Sequence, residues 1–155
     1  MGIEENKEVV RKFFKRFGQG DNSVFDELAT ENFIYHALSG PGDGVEIDKI
    51  RLKRTNEMGH IGFPDYSMEI VNMIAEDDKV MVIAKRTGTN TGEFLGLPPT
   101  GKTISMFRMA LFKVENGKVA DMWGMDDWLS QFQQLGILGP NEDIIGAYKE
   151  SHNIE

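Results

Sequence analysis

Between residues 4 and 17, Val10, Phe13, Phe14 and Phe17 recur at the spacing of one helical face, while Lys7, Arg11, Lys12, Lys15 and Arg16 fall largely elsewhere. The pattern predicts an amphipathic helix lying on an apolar surface. Gly18 and Gly20 end it, and Ser23 with Asp26 three residues on has the form of a capping box opening a short second helix to about Ala29. Phe33, Ile34 and Tyr35 favour a strand that ends at His36, after which residues 37–44 are dense in turn formers. Beyond Gly44, the looser period of Ile47, Ile50, Arg54 and Met58 predicts a third helix that stops at Gly59.

From Tyr66 the period falls to two. Met68, Ile70 and Asn72 oppose Glu69, Val71 and Met73, and the β-branched run after the turn at Glu76, Asp77 and Asp78 suits an antiparallel partner. A longer strand over residues 103–114 meets the tight-turn pair Asn116-Gly117. The last strand then carries Asp121, Trp123, Met125 and Asp127 on one face and Met122, Gly124, Asp126 and Trp128 on the other. Helices followed by a three- to four-strand antiparallel meander make an α+β fold. Its expected form is a cone-shaped curved sheet, covered on its concave face by the N-terminal helices and enclosing a pocket. One domain spans residues 1–155. Both faces of the 103–114 strand are apolar, with Met106, Ala110 and Phe112 opposing Phe107, Met109 and Leu111. The outer set predicts a homodimer through the sheet, aided by a small helix over 141–151.

Composition narrows the function classes. Cysteine is absent, which removes disulfides, thiol nucleophiles and cysteine-based metal sites and agrees with a cytoplasmic protein. No apolar run approaches the roughly 18–20 residues of a membrane span. A formal net charge of −8, spread along the chain, argues against nucleic acid as a partner. Nine methionines and 10% aromatics suit an interior that holds a small apolar or aromatic molecule.

Residues 96–103, GLPPTGKT, satisfy the G-x-x-x-x-G-K-[ST] spacing, yet Pro98 and Pro99 supply no N–H to a phosphate and a strand follows Thr103. This is a turn between strands. The three histidines, His36, His60 and His152, share no ligand spacing, so no metal is expected. Arg108 is a charge inside an apolar strand, which calls for a partner or a function. No G-x-S-x-G is present, and proton transfer by a carboxylate is the chemistry that remains. Asp127 shares its face with Trp123 and Met125 and is the leading candidate; the same carboxylate, or Asp126, also suits the N-cap of a helix starting near Trp128.

FPDY at residues 63–66, GTNTGEFLGLPPTGK at 88–102, NGKVADMW, and the closing D-W-x-x-x-x-Q-Q-L-G at 127–136 together resemble the SnoaL-like polyketide cyclases, also called ester cyclases. These have the cone fold of the nuclear-transport-factor type. The resemblance covers most of the chain, with Asn90 standing where the family commonly shows His. It implies a cofactor-independent intramolecular aldol closure of an aromatic polyketide ester. Asp127, four residues after Trp123, would be the general acid/base, and His36 the pocket histidine assisting it. The residues themselves, rather than the resemblance, mark Tyr35, Arg108, Phe112, Trp123 and Met125 as expected substrate contacts, and the segment around Arg108 departs from the family pattern. Two alternatives stay open: a cone that binds a small molecule without turnover, and an isomerase or epoxide hydrolase on the same fold.

Overall fold

The computed structural model describes residues 2–39 and 44–154. Helices α1 (Ile3–Gly18) and α2 (Val24–Leu28) lead into strands β1 (Ala29–Ala37) and β2 (Val45–Asp48), then helix α3 (Lys49–Gly62). Strands β3 (Ser67–Glu76), β4 (Lys79–Thr89), β5 (Thr103–Glu115) and β6 (Lys118–Asp126) follow, with helices α4 (Trp128–Leu135) and α5 (Asn141–His152) closing the chain. One mixed sheet has the order β2-β1-β6-β5-β4-β3. The expected antiparallel meander is β3 to β6, and the expected α+β class holds.

The sheet is wider than the predicted three to four strands. β1 runs to Ala37 and pairs in parallel with β6, while β2 returns antiparallel along β1. Helix α3 begins later than expected because Asp48 caps it, accepting from the Arg51 N–H at 2.8 Å. It passes through Gly59 to Gly62. The capping box expected at Ser23 is also replaced. Asp21 accepts the Ser23 N–H at 3.1 Å, and Arg16 ties Asp21, Ser23 and Glu27 together. The turn formers Gly40, Pro41, Gly42 and Asp43 lie outside the described residues.

Phe13, Phe14 and Phe17 of α1 are buried against the sheet, with Phe13 edge-on to Phe25 at 5.3 Å and to Phe112 at 6.0 Å. Each such ring contributes on the order of 1.5–3 kcal/mol by leaving water. Phe112 therefore belongs to the core beneath α1. The opposite face of the sheet is open: Phe107, Met109 and Met125 are 56%, 47% and 53% exposed. Helix α5 buries none of its residues. Among the described residues, no helix is long and apolar enough to cross a membrane.

Asn90 is a structural anchor. Its amide donates to the carbonyls of Gly62 and Gly92 at 3.1 and 2.9 Å, and its oxygen accepts from the Thr100 N–H at 2.8 Å. The 90–102 loop is thereby tied to the end of α3, and its Phe94 stacks on Trp128 of α4.

Candidate active site

The helices and the concave face of the sheet enclose a cavity of about 440 Å³ between α1, α3, β1 and the ends of β4 to β6. Its walls are mostly apolar and aromatic, and its floor is charged. Arg86 on β4, Arg108 on β5 and Asp126 on β6 stand on adjacent strands and are 7%, 6% and 9% exposed. Arg108 Nη1 lies 3.2 Å from Asp126 Oδ2, and Arg86 Nη1 lies 3.6 Å from Oδ1. Arg108 Nη2 donates to the Tyr35 hydroxyl at 3.2 Å. Burial opposes the charge on Arg108, but Asp126 and then Tyr35 outweigh it and raise its pKa, so it stays a cation. Burial raises the hydroxyls of Tyr35 and Tyr66 above the ordinary tyrosine value, and both are neutral donors at neutral pH.

The FPDY segment delivers Tyr66 to this site. Asp65 accepts the Thr89 N–H at 2.6 Å, and Tyr66 turns its ring under Arg86, whose guanidinium carbon lies 4.7 Å from the ring centre. His60 of α3 meets the same ring edge-on at 5.0 Å. Burial and then the charge of Arg86 depress the His60 pKa, leaving its imidazole neutral at pH 7. Gly124 of β6 is required here by contact: a Cβ would lie 2.6 Å from the Tyr35 hydroxyl and 2.9 Å from Arg108 Nη2.

Of the residues the sequence marks, Tyr35 and Arg108 reach the cavity. Asp127, Trp123, Met125 and His36 lie on the other side of the sheet. Asp127 is exposed and caps α4, accepting the Ser130 N–H at 3.0 Å. His36 stacks on Trp123 at 4.6 Å and bonds Asp121 at 2.9 Å, so it is held among outer-face residues. The physical reason is one bulge. From the Asn116-Gly117 turn, Glu115 pairs with Lys118 and Val114 with Val119, a register that would set Arg108 opposite Met125. Ala120 is skipped, Lys113 pairs with Asp121, and every later residue of β6 changes face. Asp126 thus points inward beside Arg108. Sequence reasoning also missed Arg86, Tyr66 and His60; the position of Arg86 on a face with Val80, Val82 and Ala84 was the available signal for the first.

A sequence profile of the SnoaL-like polyketide cyclase family matches residues 7–135. The chain belongs to that family. Its fold is similar to that of a Jannaschia sp. CCS1 protein provisionally assigned as a SnoaL-like polyketide cyclase, with 26% identity, a TM-score of 0.76, and 88% of this chain and 95% of that one covered. AclR of Streptomyces galilaeus, provisionally assigned as a hydroxylase, shares the fold at 23% identity and a TM-score of 0.78 over 89% of this chain and 100% of its own. IdmH of Streptomyces antibioticus, provisionally assigned as a polyketide cyclase, does so at 23% identity and 0.74 over 84% and 98%. No curated protein sequence matches the chain. Structures of this fold carry different provisional assignments, hydroxylase and polyketide cyclase, and a shared fold does not by itself choose the chemistry. The groups inside it do.

Proposed function

We propose that this SnoaL-like protein is a cofactor-independent cyclase that closes a ring by intramolecular aldol attack, with Asp126 as the general acid/base. The observation that carries this reading is one carboxylate set between two buried guanidiniums at the floor of an aromatic-walled cavity. Asp126 takes a proton from a carbon flanked by carbonyl groups, and the C–H electron pair becomes the enolate. Negative charge passes from the carboxylate to the enolate oxygen within reach of Arg108, so charge is moved rather than created. The enolate carbon attacks a ketone of the same molecule, a C–C bond forms, and the ketone oxygen takes the released pair as an alkoxide. The proton on Asp126 then returns to that alkoxide. Tyr35, whose hydroxyl oxygen accepts from Arg108, keeps its own proton free to donate to a substrate oxygen.

Epoxide opening by an arginine between two carboxylates is less well supported. Asp126 is the only acidic side chain lining the cavity among the described residues. The proposed cyclisation is tested by mixing the protein with an anthraquinone-type polyketide that carries an uncyclised β-keto ester side chain. Loss of water-exchangeable side-chain protons and a product of unchanged mass with a shifted chromophore are expected. Binding without any product would favour the non-catalytic cone.

The exposed Phe107, Met109 and Met125 support a homodimer through the outer face of the sheet, and light scattering in solution reads the mass directly.

A further inference from the structure

The charged groups of the cavity do not balance. In a chain whose formal net charge is −8, the side chains lining the cavity include Arg51, Arg86 and Arg108 against Asp126 alone. Arg51 is exposed at the rim, whereas Arg86 and Arg108 are buried. Two buried cations therefore share one buried anion. Asp126 lies within hydrogen-bond reach of Arg108, and its distance to Arg86, 3.6 Å, is too long for a hydrogen bond. The Nε atoms of Arg86 and Arg108 are both buried without a hydrogen-bond partner among the described residues, but Arg108 also bonds Asp126 and Tyr35 through its Nη atoms. The ring of Tyr66 lies against a face of the guanidinium and supplies no acceptor to its N–H groups. Neither tyrosine nor the neutral His60 adds a negative charge.

A buried cation without its own counter-ion is costly unless an anion arrives to pair with it, and the forked edge of a guanidinium matches a carboxylate. We propose that the ligand of this cavity carries an ionised carboxylate in addition to any reacting carbonyl groups, and that Arg86 is the residue that selects it. The inference rests on reading the cavity as a site for an aromatic carbonyl compound. Within it, Arg108 stays with Asp126 and Tyr35 at the reacting end, and Arg86 takes the free acid.

The test uses two ligands without a β-keto side chain, anthraquinone 2-carboxylate and its methyl ester, so that binding is measured apart from turnover. Calorimetric titration near neutral pH is expected to show the acid bound about 10- to 100-fold more tightly than the ester by the wild-type protein. Arg86→Met brings the affinities for acid and ester to within about threefold of each other. Arg86→Lys, which keeps the charge and loses the fork, retains part of the preference and guards against a folding defect in the methionine variant. Equal binding of acid and ester by wild type, an acid preference that survives Arg86→Met, or binding of neither ligand would overturn the inference. An acid preference in a protein that cyclises nothing would instead overturn the aldol reading and leave this one standing.

Discussion

Arg108 and Asp126 occupy directly paired positions on β5 and β6, with Nη1 3.2 Å from Oδ2 and both side chains buried. The pairing exists because Ala120 bulges out of β6. Had the hairpin kept the register of its turn, Arg108 would face Met125 and its charge would have no partner on that strand. The bulge thus assembles the site's charge pair, and the carboxylate next in sequence is released to cap α4.

That division of labour predicts different fates for the two neighbouring aspartates. Asp127→Ala removes an N-cap and should lower stability by about 0.5–2 kcal/mol. Chemical denaturation measures this, and cyclisation by the folded variant should stay close to wild type.

Gly124 lies beneath Tyr35 and Arg108 with no room for a methyl group. Gly124→Ala must push one of them away from Asp126. A displacement of about an ångström at such a site can cost on the order of 100-fold in turnover. The overpacking itself should cost about 1–3 kcal/mol of stability. A variant that turns over normally would show that Tyr35 and Arg108 need not hold these positions.

His60 provides a pH signature. Burial and the charge of Arg86 hold its folded-state pKa below the unfolded value of about 6.5. The unfolded chain therefore binds this proton first, and stability present above about pH 6.5 is lost as pH falls from there through the depressed folded pKa. Comparing unfolding free energies of wild type and His60→Gln should show a shallower decline for the variant over that interval. Parallel curves would indicate that His60 titrates normally.

Gln131 is fully buried on α4, and neither its side-chain nitrogen nor its oxygen has a hydrogen-bond partner among the described residues. An unsatisfied buried amide costs about 1–3 kcal/mol. Gln131→Met keeps the shape and removes the polar atoms, so it should raise the thermal midpoint; a fall would reveal a partner for the amide.

Much of this architecture was legible from local pattern. The Val10, Phe13, Phe14, Phe17 stripe predicted α1 and its buried face, and Asn116-Gly117, with φ of 49° and 78°, predicted the β5–β6 hairpin. The pairing of β1 with β6 was not legible, because a parallel contact between segments some 90 residues apart leaves no mark in the periodicity of either. The same holds for the site. Alternation sorted β6 into two faces, one with Asp126 and one with Asp127, but which face looks inward depended on a single skipped residue. Val119 and Ala120, two consecutive apolar residues both buried, are where the period of two breaks. Arg108 could be marked from sequence because its face is otherwise apolar, whereas Tyr66 depended on how the FPDY turn docks against Thr89.

The central claim is that Asp126 is the acid/base of the site, and the most direct measurement is the single-turnover rate of ring closure by Asp126→Asn and Asp127→Asn beside wild type. Asp126→Asn should lose on the order of 100- to 10,000-fold in rate. It should also lose about 3–5 kcal/mol of stability, because its two arginines are left without an anion. The assay is therefore run on protein shown to be folded, with Asp127→Asn near wild type. Closure at the wild-type rate by folded Asp126→Asn, or its loss in Asp127→Asn alone, would contradict the account.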